Sequence, residues 1–141
     1  MNVNKVLLTL TTMVFSGSQI FPSPTFAQFV PPAKKVAHVR ITQGPEIELS
    51  KDSLTIIRWT SNNPGGSPEH YAVVHYGTDP KNLSQMAKSH IRLNQNHPST
   101  IFRVRMDDLK PRTTYYYRVD SMDAHGTSDG VISSVKTFAT R

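Results

Sequence analysis

Six histidines, the adjacent acids Asp107-Asp108 and many serines are the residues of this chain that could do chemistry. A zinc site wants three or four ligands converging at about 2 Å. His70 and His75 lie five apart in a segment of strand character, so they point to opposite faces. His90 and His97 flank a loop and can approach each other, but no acid or cysteine beside them completes a set. His38 and His125 stand apart from both pairs. There is no cysteine at all, which removes thiolate metal sites and cysteine nucleophiles. Asp107 and Asp108 are sequence neighbours whose side chains diverge, and they read as the polar end of a strand. No Gly-x-Ser-x-Gly elbow surrounds any serine. The residues therefore imply no catalytic centre, no metal and no cofactor.

Recognition is the better-motivated chemistry, and it depends on which side chains a sheet turns outward. The run Leu109-Lys110-Pro111-Arg112-Thr113-Thr114-Tyr115-Tyr116-Tyr117-Arg118-Val119 reads as a corner feeding a strand. Pro111 pre-sets φ for the turn, and the β-branched and aromatic residues that follow suit a half-buried pleated surface. Period-two alternation puts Tyr115, Tyr117 and Val119 on one face and Tyr116 and Arg118 on the other. Tyr115 opens the strand, where its hydroxyl can bond back to the preceding loop as a tyrosine corner.

The chain has 141 residues and a formal net charge of +6. Lys5 precedes the apolar run Val6 to Phe15, which is too short to span a bilayer. Thr25 and Ala27 bracket Phe26 as a signal peptidase prefers, so residues 1–27 are read as a signal peptide cleaved after Ala27. A membrane-tethered or unstructured N-terminus is the competing reading. Cleavage leaves 114 residues, one small domain, at a net charge of +5. The basic residues are scattered without a block of five or six, so a solvated surface is expected and no nucleic-acid groove. In an exported chain the missing cysteines also exclude disulfide stapling, and a bacterial envelope or secreted protein fits that usage. Asn82-Leu83-Ser84 is a glycosylation sequon of a kind that arises often by chance.

Residues 28–40, with Pro31, Pro32, Lys34 and Lys35, read as an extended leader or linker, and residues 41–141 as the domain. Strand signals follow at Ile41–Leu49, with Ile47 and Leu49 pointing one way, and at Ser53–Thr60. Others lie at His70–Gly77, Leu83–Ile91 (a weak edge candidate), Thr100–Met106, Thr113–Val119 and Val131–Thr140. Pro, Gly and Asn turns separate them. Seven strands without a helical segment imply an all-β, antiparallel two-sheet sandwich, an immunoglobulin-like architecture.

With Trp59 near the end of the second strand, the corner Leu109-x-Pro111-x-Thr113-x-Tyr115-x-Tyr117-x-Val119 and the closing Phe138-Ala139-Thr140, the chain resembles a fibronectin type III domain from about Ile41 to Thr140. Val74-His75-Tyr76-Gly77 and Tyr115-Tyr116-Tyr117-Arg118-Val119 resemble, more narrowly, the N-terminal domain that precedes the catalytic domain in purple acid phosphatases. That resemblance implies that the two-metal chemistry belongs to a following domain, with motifs such as Gly-Asp-x-x-Tyr and Gly-Asn-His-Glu. Neither motif occurs in this sequence.

The resemblance also implies that Ala72, Val74 and Tyr76 face the core, which turns Tyr71, Val73 and His75 outward beside Tyr116 and Arg118. Tyr and Arg are enriched in binding hot spots, so these five residues form the expected partner-binding surface. Ordinary cross-strand pairing that shields exposed sheet is the competing explanation. A second outward strip holds Leu54, Ile56 and Arg58 alongside Ile101 and Arg103. The expected role is an exported non-catalytic binding or spacer module, secreted or at the cell envelope. Its partner would be a protein or a surface polymer, and no membrane span would remain after signal cleavage. An accessory subunit or truncated N-terminal domain of a metallophosphatase, and a carbohydrate-binding module stacking sugar on Tyr71 and Tyr116, are the alternatives.

Overall fold

The structure is a computed structural model that describes residues 34–141. The expected signal peptide and residues 28–33 of the expected leader lie outside the described residues. Seven strands form: β1 (Ile41–Lys51), β2 (Leu54–Asn62), β3 (Glu69–Gly77), β4 (Gln85–Arg92), β5 (Ser99–Met106), β6 (Thr114–Asp123) and β7 (Lys136–Ala139). They build the expected sandwich of two antiparallel sheets, ordered β1-β2-β5 and β4-β3-β6-β7. Among the described residues no helix is long and apolar enough to cross a membrane.

Alternation fills the space between the sheets. Ile57 and Trp59 from β2 meet Phe102, Val104 and Met106 from β5, while the other sheet supplies Ala72, Val74, Tyr115, Tyr117 and Val119. Trp59 stacks on Phe102, its register partner, with ring centroids 5.1 Å apart. Phe138 of β7 lies against Tyr115 and Tyr117 at 5.6 and 5.8 Å. Burial among these rings pushes the Tyr117 phenol up to about 12, and the charge of Glu46 adds to the effect.

The corner is tied on three sides. The Lys110 N–H donates to the Tyr115 hydroxyl at 3.0 Å. The Leu109 N–H donates to the Ser53 carbonyl at 3.0 Å, which fastens the corner to the β1–β2 hairpin. Thr140 closes the knot: its hydroxyl accepts from the Thr113 N–H at 2.9 Å and donates to the Lys110 carbonyl.

Two strands depart from the pattern read in the sequence. In β1 the register shifts between Ile47 and Leu49, so Ile47 pairs with inward-facing Ile57 and Leu49 with outward-facing Ile56. The two do not point one way, because a bulge moves one of them to the other face. Only Lys136–Ala139 of the expected last strand forms regular β7. Upstream, Asp129 N–H bonds Ser121 O and Ser133 N–H bonds Val119 O, so four residues advance on one side against two on the other. The extra residues include Gly130 at φ 82°, and the Ser133 hydroxyl accepts the Val119 N–H in place of a backbone carbonyl. Residues 34–40 are fastened to the end of β2. Val36 N–H reaches Pro64 O, the Asn62 side chain clamps Arg40 N and His38 O, and Val39 is buried. Gly65, at φ 66°, leaves the room this needs, since a Cβ there would sit 2.3 Å from the Lys34 carbonyl oxygen.

Replacing Tyr115 by Phe keeps the ring and strands the Lys110 N–H. We expect a loss of about 1–3 kcal/mol in urea unfolding, with the slope unchanged. The phenol of Tyr117 ionises near 10 in the unfolded chain and near 12 in the fold. Its contribution to stability is therefore complete below pH 10 and is lost as pH rises toward 12. Thermal melts across that window should show a steeper decline for the wild type than for Tyr117→Phe.

Candidate functional site

The outer face of the four-stranded sheet gathers the residues expected there. β3 supplies Tyr71, Val73 and His75; β6 supplies Tyr116, Arg118 and Asp120; β4 adds Met86, Lys88 and His90. In register, His75 lies between Met86 and Arg118, Val73 between Lys88 and Asp120, and Tyr71 between His90 and Met122.

Tyr71, His75, Tyr116 and Arg118 are half-buried, with part of each side chain open to solvent. Val73 is not available: its exposure is 0 %, which corrects its place in the expected surface. The reason is steric. Val73 carries the shortest side chain in a ring of longer neighbours and forms the floor of the patch. Tyr71 is partly occupied as well, since the Lys88 ammonium stands 3.8 Å over its ring centroid and His90 packs edge-on at 5.4 Å. The open part is Tyr116, Arg118 and His75, bordered by Met86, which is 56 % exposed.

Arg118 is the distinctive group. It makes no ion pair among the described residues, and its Nε is buried without a hydrogen-bond partner. The nearest acid along the strand is Asp120, whose carboxylate accepts from the Ser128 hydroxyl and from the Ser121 N–H. Burial raises the Asp120 carboxyl above its ordinary range, outweighing those hydrogen bonds and the pull of His75. The terminal guanidinium nitrogens, which bond nothing among the described residues, are the part that can meet a planar acceptor such as a carboxylate, phosphate or sulfate.

The sequence reading missed the contribution of β4. Met86-x-Lys88-x-His90 alternates outward, but with Ala87 and Ser89 as inward neighbours it carries little apolar signal.

The histidines do not converge. Among the described residues no group of three or more His, Cys, Asp or Glu could hold a metal ion. His90 pairs with Glu69 across the strands, whereas His97 turns back to the Ser99 backbone. His70 points inward at the end of the core, 1 % exposed, with Nε2 at 3.6 Å from Asp129 Oδ2. Ser121 donates to the same carboxylate at 2.7 Å. These three residue types can make a hydrolytic triad, but here the serine bonds the acid instead of the imidazole and no substrate reaches it. An open cleft of about 530 Å³ between Val39–Pro45 and Gly130–Lys136 lies on the side of the sandwich, away from this face, and Lys136 bridges it to the Pro45 carbonyl.

Strand order β1-β2-β5 over β4-β3-β6-β7, the inward tryptophan of β2 and the Tyr115 corner define a β-sandwich of the fibronectin type III class. The sensor domain of the anti-sigma factor RsgI4 in Pseudobacteroides cellulosolvens shares the fold, with a TM-score of 0.50 and 21 % identity over 73 % of this chain and 89 % of that one. Residues 42–140 match the family "Purple acid Phosphatase, N-terminal domain", and the chain belongs to that family. An acid phosphatase of Aspergillus ficuum is 30 % identical over 128 aligned residues, which cover 76 % of this chain and 19 % of that protein. The match thus spans about a fifth of the relative's length.

Asp120→Asn keeps an oxygen for Ser128 and Ser121 and removes the buried charge. Because the carboxyl is raised in the fold, the wild type gains stability below pH 3.8 and loses it as pH rises through the folded value. The variant should therefore melt at or above the wild-type temperature at pH 7, and the difference should shrink or reverse at pH 3.

Proposed function

We propose that this chain is an exported, non-catalytic recognition module, and that Tyr116, Arg118 and His75 on the four-stranded sheet contact its partner. The single observation that carries the reading is Arg118, an arginine without an ion-pair partner among the described residues, flanked on its strand by Tyr116 and lying opposite His75. A partner that brings a carboxylate, sulfate or phosphate beside an apolar or sugar surface fits that combination.

A second reading is favoured by the length of the relative. The acid phosphatase extends far beyond the matched region, so the same face can dock on a metallophosphatase domain and act as its accessory. Export rests on the sequence of residues 1–27.

Both readings are tested together. Wild type, Tyr116→Ala and Arg118→Ala are applied to a glycan array and, by size-exclusion chromatography, to the separately purified catalytic part of a purple acid phosphatase. Wild type should be retained by one of the two, and Arg118→Ala should weaken that binding by about tenfold or more. Equal binding by all three proteins would remove this face from consideration, and a blank on both probes would count against a recognition role. Chelator-sensitive phosphomonoesterase activity in the purified chain would sink the non-catalytic reading.

A further inference from the structure

The outer face of the other sheet sets its charges out in columns. β1 carries Glu46 and Glu48 and ends in Lys51; β5 carries Arg103 and Arg105 and runs on to Asp107. Between them β2 presents Leu54, Ile56 and Arg58. Register fixes the rows: Arg58 lies opposite Glu46 on one side and Arg103 on the other, and Ile56 opposite Leu49 and Arg105. Leu54 lies opposite Lys51, and Asp107 follows Met106 at that same end. Within one chain Arg58 bonds Glu46 at 3.0 Å, Arg103 bonds Glu48 at 2.8 Å and Arg105 bonds Asp107 at 2.8 Å. Yet the surface is not closed: Leu49 and Ile101 are 45 and 46 % exposed.

We propose that a second copy of the chain packs on this face, related by a two-fold axis running along β2. That rotation exchanges β1 with β5 and keeps the rows level. Glu46 and Glu48 then face Arg103 of the second copy, Lys51 faces its Asp107, and Leu54 and Ile56 meet their own counterparts at the axis. Arg58 comes near its counterpart, each with Glu46 as counter-ion. An axis across the strands would set β1 on β1 and β5 on β5: crossing at Ile56 it brings Arg105 against its own counterpart, and crossing at Arg58 it brings Glu46, Arg58 and Arg103 against theirs, whereas the first arrangement opposes only Arg58. Such an interface is isologous and closes at two copies. Packed sheets stand about 10 Å apart and cross at roughly 30°, so the rows match best near the axis. Ion pairs that are already exposed contribute little strength, but they fix register and partner choice. The apolar middle supplies the burial.

Three strands about 4.8 Å apart and about eight residues long offer roughly 400 Å² of face per copy. That is below the standard interface, so the dimer should be weak and concentration-dependent. Sedimentation velocity from about 10 μM to about 1 mM should show wild type moving from monomer to dimer. The double variants Glu46→Lys/Glu48→Lys and Arg103→Glu/Arg105→Glu should each remain monomeric, and an equimolar mixture of the two should dimerise. Intrachain pairs cannot be restored in that way, so rescue in the mixture isolates the contact between copies. Ile56 belongs to none of the ion pairs, and Ile56→Asp, which sets a charge at the axis, should abolish the dimer even where a charge reversal impairs folding, which circular dichroism will show. A wild type that stays monomeric throughout, a mixture no more dimeric than its parts, or a dimer indifferent to Ile56→Asp would each overturn the proposal.

Discussion

The hydrogen bond from the Lys110 N–H to the Tyr115 hydroxyl holds the point where the chain passes from one sheet to the other. With no cysteine to staple the layers, that crossing is fixed by hydrogen bonds and by the burial of Leu109 and Tyr115 beside them. Leu109 roots the corner in the hairpin between β1 and β2, and Thr140 draws the last strand onto it. Three segments distant in sequence therefore share one knot of part-buried hydrogen bonds.

The same corner sets the register of function. Once Tyr115 is committed inward, period-two geometry sends Tyr117 and Val119 after it and leaves Tyr116 and Arg118 outside. The proposed recognition surface is thus a by-product of core packing on β6. A one-residue slip would bury the arginine and expose the aromatic core, so the aromatic cluster of Tyr115, Tyr117 and Phe138 guards the site as well as the fold.

What was legible in the sequence followed that alternation. β5 could be read because apolar and polar residues exchange at every step, and β2, β3 and β6 because β-branched and aromatic residues crowd them, with Pro, Gly and Asn marking the turns between. The losses occurred where backbone hydrogen bonding leaves the simple ladder. At Ile47 to Leu49 a bulge changes the face of each residue after it, and composition carries no trace of that. Between Ser128 and Ser133 the alternation of Val131, Ser133 and Val135 resembles a strand, yet the Ser133 hydroxyl takes over a ladder bond and the pairing loosens. Val73 shows a different limit: its direction was readable, but its burial depends on the length of side chains on two neighbouring strands. The candidate site was legible to the extent that it lies on β3 and β6. The contribution of β4 was obscured by the small residues alternating with it.

The two outer faces differ in how they dispose of charge, and the difference follows from where the partners sit. On the three-stranded sheet each arginine of β2 and β5 finds an acid across or along the strands, and Arg103 holds the Glu48 carboxyl below its ordinary range. On the four-stranded sheet the acid closest to Arg118 turns into the sheet toward Ser128 and Ser121, where burial opposes its ionisation. A carboxylate held by hydroxyl and amide donors is a poor counter-ion for a guanidinium on the same face. Ser128 and Ser121 both bond Oδ1 of that carboxylate, and the Ser128 contact is one of those that attach residues 128–133 to β6. The irregular last strand and the burial of Asp120 are therefore linked through Ser128, whose hydroxyl ties residues 128–133 to β6 at a carboxylate whose ionisation that burial opposes.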